Sequence, residues 1–284
     1  MRADAPTKEW KGSSAHAKER NDAGRTLLVL RGLNWRMAQK NLPPQTTTFL
    51  INLTKHNNRS IMSKAIVLLS GGLDSCVALH VALHDGHEVS ALSFDYGQRH
   101  RKELECAKAI AAHAGVKDHS IVSLNLAQWG GSSLTDMSMT VQDGNVESKE
   151  IPATYVPARN MVFLSVAASL AEARGAEHIY IGVSQVDYSG YVDCRKVFID
   201  AMEKAINLGT VMGAEKGKKI TIHAPFENMT KADEIRLGLK LGVDFGLTWS
   251  CYRGGEKPCG TCDSCLLRAK AFAEVGIPDP ALTR

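Results

Sequence analysis

No apolar run in this chain reaches the ~18–20 residues a helix needs to cross a bilayer. No stretch joins an apolar segment to a small-residue cleavage site, as a secretory signal would. Internal repeats and low-complexity tracts are missing too, which sets aside solenoids and fibrous architectures. A basic excess is lacking where it would matter. The formal charge is +4 over 284 residues, but residues 1–61 alone carry eleven Lys and Arg against four Asp and Glu. The rest of the chain holds 23 basic and 26 acidic side chains, a mildly acidic balance that argues against a general nucleic-acid binder. What remains is an ordinary globular composition, 44% hydrophobic and 23% charged, long enough to bury a core without staples. The expectation is a soluble, cytoplasmic protein with no membrane partner and no stable nucleic-acid partner.

Residues 1–61 mix Arg, Lys, Asn, Thr and Pro with no sustained period. Their Arg-rich composition is similar to an organelle transit peptide, but Asp4, Glu9, Glu19 and Asp22 count against that. Met62-Ser63-Lys64 reads as a natural start. Residues 1–61 are therefore expected to be an N-terminal extension that is disordered or not translated, because they offer little apolar surface to offset ordering entropy.

From there the pattern alternates. Residues 65–69 are wholly apolar, which predicts a strand buried on both faces of a parallel sheet. A helix is predicted over 76–83, a strand over 88–94, a helix over 101–114 and a strand over 119–122. A long polar loop covers 124–153. A helix over 160–173, a strand over 178–183, a helix over 195–208 and a strand over 219–223 follow. Thr230 is placed to cap a helix over 231–241. Strands alternating with helices predict a doubly wound, mostly parallel α/β sheet. Such sheets bind ligands at the carboxyl ends of their strands, so the loops 70–75, 95–100 and 184–193 are expected to converge.

Ser70-Gly71-Gly72-Leu73-Asp74-Ser75 sits between a predicted strand and helix. Glycines let the backbone approach a phosphate, and a helix start presents N–H groups and the positive dipole end to an anion. Asp74 could hold a magnesium ion on the phosphates. The loop has neither the lysine of a Walker A sequence nor a GxGxxG pattern; a tight turn that binds nothing is the plain alternative. The loop resembles that of the PP-loop ATP pyrophosphatases, which include asparagine, GMP and NAD synthetases and several tRNA-modifying enzymes, and which split ATP between the α and β phosphates.

Cys251, Cys259, Cys262 and Cys265 give C-x7-C-x2-C-x2-C. Four thiolates satisfy tetrahedral zinc and leave no open position, which suggests a structural site. Unrelated free cysteines and a redox pair are the alternatives. Other polar clusters are plainer. Asp95 to His100 and Ser184 to Arg195 could be solvated loops. Arg159, just before a helix, could clamp a phosphate or carboxylate. Lys231 opens a helix, where the dipole disfavours a cation, and this hints at an anion partner. Trp129 and Trp249 read as packing residues.

Taken together, Ser70 to Ser75, Phe94-Asp95-Tyr96-Gly97-Gln98-Arg99-His100, Val156 to Asn160, Asp187-Tyr188-Ser189-Gly190-Tyr191, Asp193-Cys194-Arg195 and Leu247 to Cys251 with the later cysteines closely resemble the QueC family of 7-cyano-7-deazaguanine synthases. The likeness runs from about residue 63 to about residue 282. It departs at Ala158, where the family usually has Gly, and at Val192, where it usually has Pro. The resemblance implies a fold of the adenine nucleotide alpha hydrolase, PP-loop type, with an ATP-binding domain over 62–245 and a C-terminal zinc-binding module over 246–284 packed on it. It implies a carbon–nitrogen ligase that joins 7-carboxy-7-deazaguanine and ammonia, through an adenylated acid and an adenylated amide, into a nitrile for queuosine-precursor biosynthesis. ATP would be held by Leu69, Ser70, Gly71, Gly72, Leu73, Asp74, Ser75, Cys76, Val77, Ala78 and Leu79 with Mg2+. One structural Zn2+ would sit on Cys251, Cys259, Cys262 and Cys265. Arg99, His100, Arg159, Asp187, Tyr188 and Lys231 would meet substrate or phosphate. The family is often dimeric, so a homodimer is the assembly the resemblance allows. A tRNA-modifying PP-loop enzyme, and a zinc module that binds nucleotide without turnover, are the competing readings.

Overall fold

The computed structural model describes residues 62–145, 150–184 and 191–282. Residues 1–61, with the expected extension, lie outside the described residues.

Five strands form one parallel sheet: β1 (Lys64–Leu68), β2 (Glu88–Asp95), β3 (Asp118–Ser123), β4 (His178–Tyr180) and β5 (Thr221–His223), in the order β3-β2-β1-β4-β5. The apolar run of β1 is explained by its central place. Ala65, Val67 and Leu69 enter one core, while Ile66 and Leu68 enter the other. On the first face lie α1 (Leu73–His84), α2 (Lys102–His113), α6 (Lys231–Lys240) and α7 (Asp263–Val275). On the second lie α3 (Arg159–Arg174), α4 (Lys196–Gly209) and the one-turn α5 (Val211–Ala214). Ile66, Leu92, Leu164 and Ile179 are exposed by 1% or less, and burying each side chain contributes about 1.5–3 kcal/mol. The helices cover both faces, so this is the doubly wound sheet expected.

Some element bounds differ from expectation. α1 begins at Leu73 rather than at 76, because Gly72 is already extended at the N-cap and the apolar Leu73 is buried. β4 ends at Tyr180. Ile181 still donates its N–H to His223, but the chain then turns toward the loop after β1. The predicted helix over 231–241 is present as α6, closed by a capping box between Thr230 and Asp233. α7 was not expected at all. Its stripe of Leu267, Ala271 and Phe272 has helical spacing but is masked by the adjoining cysteines, and Ala271 and Phe272 join the α1 side of the core.

Candidate active site and metal centre

Strand order reverses between β1 and β4, and the phosphate loop leaves the carboxyl end of β1 at this switch point. The loop is drawn tight by its own serines. The Ser70 N–H donates to Ser75 Oγ (3.2 Å), the Gly72 N–H donates to Ser70 Oγ (3.2 Å), and Ser75 Oγ donates to the Gly72 carbonyl (3.1 Å). Gly71 has φ +92, and a Cβ there would stand 2.0 Å from the Glu103 carbonyl oxygen. The first turn of α2 thus presses on the loop, and only glycine fits. From the other side Gly182 approaches so closely that a Cβ would lie 2.8 Å from the Ser75 nitrogen. The Gly71 carbonyl accepts from the Trp249 N–H at 2.9 Å, which joins the loop to the chain leading to the cysteines.

A cleft opens over this loop, walled by Leu69, Ser70, Gly72, Leu73, Asp74 and Ser75. Gly71 is not part of that wall. Cys76, Val77, Ala78 and Leu79 lie behind it, in the buried body of α1. Burial and the charge of Asp244 push the Cys76 thiol up to about 12, which suits packing and not reactivity. Lys231 Nζ reaches into the cleft and donates to Asp74 Oδ1 at 2.6 Å, to Ser184 Oγ at 3.3 Å and to the wholly buried Glu234. Burial alone would raise the Asp74 carboxyl, but the Lys231 charge together with hydrogen bonds from Glu234 and Lys231 outweighs it and holds Asp74 below the usual carboxylate range. The helix-start lysine therefore has its anion partner across the site: a loop carboxylate with a cation beside it.

The opposite wall carries Phe94, Tyr96, Gln98, Glu103, Arg159, Phe163, Tyr191 and Tyr252. Phe94 and Phe163 are stacked at 3.9 Å, with Tyr96 edge-on to Phe163. Arg159 donates to the Tyr96 hydroxyl at 3.3 Å and lies 5.8 Å from the centre of its ring. Burial works against the Arg159 charge, but Tyr96 and Tyr191 favour it more, so the guanidinium is held firmly protonated. The start of α3 is fixed by Asp193, whose carboxylate accepts the Asn160 N–H at 2.9 Å, and the Asn160 side chain donates in turn to the Asp193 carbonyl and to Cys194 Sγ.

Loops from the ends of β1 and β2 and the Tyr191 to Cys194 turn thus meet at one cleft. Two expected side chains stand apart from its walls. Arg99 donates to the carbonyls of Ser133, Asp136 and Met139 and so ties down the 132–139 segment. His100 packs edge-on to Trp249 and against Gly254, beside the cysteine turn. Asp187 and Tyr188 lie outside the described residues. Trp249 is buried, as a packing residue should be, whereas Trp129 is 70% exposed at the end of a short 3-10 turn that breaks at Gly130.

The Sγ atoms of Cys251, Cys259, Cys262 and Cys265 all lie within 4.8 Å of one another, and all four are free of disulfides. A tetrahedral zinc with bonds of ~2.3 Å needs sulfurs ~3.8 Å apart, and Cys259 Sγ and Cys265 Sγ are 3.9 Å apart. The Cys259 N–H donates to Cys251 Sγ, and the N–H groups of Thr261 and Cys262 donate to Cys259 Sγ. Such donors stabilise thiolates and orient them toward a metal. The four residues fit a closed tetrahedral metal site.

The family model described as "Queuosine biosynthesis protein QueC" matches residues 64–276. This chain belongs to the QueC family. It is 59% identical over 219 residues to the 7-cyano-7-deazaguanine synthase of Clostridium kluyveri, covering 77% of this chain and 97% of that protein. It is 54% identical over 219 residues to the 7-cyano-7-deazaguanine synthase of Thermoplasma acidophilum, covering 76% and 90%. Among solved structures, NMN synthetase from Francisella tularensis aligns over 84% of this chain and 83% of its own at 15% identity and a TM-score of 0.41, too distant to bear on the chemistry. The expected departure at Ala158 falls on a backbone conformation that favours glycine. Ala158 is left-handed, at φ +53, and among the described residues it is the only non-glycine with positive φ. Three residues of the QueC cleft escaped the sequence reading. Glu103 looked like one more acid on an amphipathic helix, Gly182 like a strand residue, and Arg268 lay in a helix that was not predicted. For Gly182 alone there was a usable signal, a glycine inside an apolar strand pattern.

Proposed function

We propose that this QueC-family chain is a 7-cyano-7-deazaguanine synthase, an ATP-dependent carbon–nitrogen ligase of queuosine-precursor biosynthesis. What carries the reading is a single cleft with two unlike ends. A phosphate loop backed by Asp74 and Lys231 suits a polyphosphate, and the stacked aromatic wall with Arg159 suits a flat heterocycle bearing a carboxylate.

A carboxylate oxygen is a poor leaving group and an adenylate is a good one. The acid, 7-carboxy-7-deazaguanine, attacks the α-phosphate of ATP, and pyrophosphate leaves into the Ser70 to Ser75 loop. Ammonia then displaces AMP to give the amide, and a second ATP activates the amide oxygen so that loss of AMP leaves the nitrile. Loop N–H groups and Lys231 stabilise the departing phosphates, and Arg159 neutralises the acid as it is positioned. Asp74 would hold Mg2+, which neutralises the polyphosphate when bound. Cys251, Cys259, Cys262 and Cys265 would hold one Zn2+ in a structural role. We divide the chain into an N-terminal extension over 1–61, an ATP-binding domain over 62–245 and a zinc-binding module over 246–284. We assign it to the cytoplasm, where such small-molecule biosynthesis draws on ATP.

The test is to incubate the protein with MgATP, an ammonium salt and 7-carboxy-7-deazaguanine and follow products by mass spectrometry. The expected result is the nitrile, with two AMP released for each. AMP release with tRNA but not with the acid would move the reading to a tRNA-modifying PP-loop enzyme. A folded, metal-loaded protein that releases no AMP would be a nucleotide-binding module without turnover.

A further inference from the structure

Amide formation leaves one proton to be placed. The nitrogen arrives as ammonia with three hydrogens and stays as an amide with two. Asp74 is a poor receiver, because Lys231 keeps it tightly paired. Arg159 is already protonated and carries no vacant lone pair.

Glu103 is placed differently. It sits in the first turn of α2, the turn whose carbonyl presses on Gly71, so it stands beside the phosphate loop. Glu103 lines the cleft together with Ser70, Gly72 and Arg159, and the Arg159 charge acts on its carboxyl. Among the described residues its carboxylate has no hydrogen-bond or ion-pair partner. The charged or titratable groups that act on it are Arg159, Tyr96 and Cys251.

We propose that Glu103 is the general base of the amidation step. The claim rests on the ligase reading above. The ammonia lone pair forms the C–N bond at the acyl carbon of the adenylate. The C–O bond to the phosphate breaks, and its electron pair leaves on AMP. The surplus N–H proton passes to a Glu103 carboxylate oxygen and from there to solvent. Burial pushes the Glu103 carboxyl up to about 7, with Arg159 pulling it back and Cys251 adding to the rise. A base near the working pH takes and returns a proton with little penalty in either direction. A carboxylate that merely recognised the donor edge of the heterocycle would serve better fully ionised.

The experiment compares the full-length wild type with Glu103→Gln in three assays: acid-dependent ATP–pyrophosphate exchange, hydroxamate formation with hydroxylamine, and amide formation with ammonium. Exchange reports adenylation. Hydroxylamine, a weaker base, loses its proton to water unaided once it has attacked. The expected variant keeps exchange and hydroxamate formation close to wild type and loses ~10²–10⁴-fold in amide formation. In the wild type, amide formation at constant free ammonia should rise as pH climbs through about 7, and this rise should be absent in the variant. Amide formation at the wild-type rate in Glu103→Gln overturns the proposal. So does an equal fall in all three assays, which would mean that Glu103 binds the acid or props the loop. Should the variant fail to fold, a flat wild-type pH profile overturns the proposal by itself. A wild type with no acid-dependent exchange overturns the ligase reading, and the proposal with it.

Discussion

At residue 158, where the resemblance to the family implies glycine, this chain carries alanine in a left-handed conformation, at φ +53. A left-handed conformation costs an L-residue ~1–2 kcal/mol, partly offset because alanine loses less entropy on folding. Ala158→Gly is therefore expected to stabilise the protein by ~0.5–1 kcal/mol, which thermal unfolding would read as a rise of ~1–4 °C. Gly71 is the opposite case. A Cβ there meets the Glu103 carbonyl at 2.0 Å and the Ala107 nitrogen at 2.9 Å, both of them backbone atoms of α2 that cannot step aside. Gly71→Ala should cost ~1–3 kcal/mol through overpacking and abolish AMP release; full activity in that variant would show that the loop does not grip phosphate. The phosphate loop was legible in the sequence because its chemistry is contiguous. The pairing of Asp74 with Lys231 was not, because the two are 157 residues apart. Glu103 was hidden for a related reason: on an isolated helix its position resembles that of Glu105, and only the approach of α2 to Gly71 brings it to the cleft.

At the scale of elements, α7 joins the metal centre to the core. Its N-cap is Cys262 and its first turn holds Cys265, so a metal on the cluster fixes the start of the helix, and anionic thiolates favour that end of its dipole. Removing the metal with a chelator, or by Cys259→Ser, should lower the melting temperature and remove hydrogen-exchange protection first from the beginning of α7. Metal analysis checks the assignment directly, and full metal content in Cys259→Ser would remove that residue from the ligand set. Farther along α7, the buried Arg268 forms a two-pronged ion pair with Asp279 at 2.6 and 2.8 Å and also donates to Thr248, Ser250 and the Phe245 carbonyl. One guanidinium thus fastens α7 to the chain after it and to the turn before Trp249. Arg268→Met leaves Asp279 buried without its cation, at an expected cost of ~3–5 kcal/mol. Chemical denaturation would measure it, and Asp279→Asn in the same background should recover part of the loss.

At the scale of the whole molecule, the sheet gathers a second polar group near the amino ends of β2 and β4. His178 Nδ1 and His223 Nε2 are 3.0 Å apart, the His87 ring lies 4.4 Å from that of His178, and Tyr180 donates to Asp85 at 2.8 Å. Burial, then the neighbouring imidazole charges, lowers the folded-state pKa of both His178 and His223. On acidification the unfolded chain therefore binds protons first. Stability should be complete above the ordinary histidine value of 6.5 and should fall as pH drops below it. Thermal unfolding between neutral and mildly acidic pH would record the decline, and His178→Gln should flatten it; an unchanged slope would assign the acid sensitivity elsewhere. The sequence by itself determined the strand and helix alternation, the phosphate loop and the four-cysteine spacing, because each is written in hydrophobic period or in neighbours a few residues apart. Only the tertiary structure decided that Lys231 meets Asp74, that Gly182 closes on the loop, that Arg99 turns to backbone carbonyls and that Glu103 faces the cleft. Those meetings depend on the order β3-β2-β1-β4-β5, which is set by how two whole cores pack against the sheet, and distance along the chain says little about distance across it.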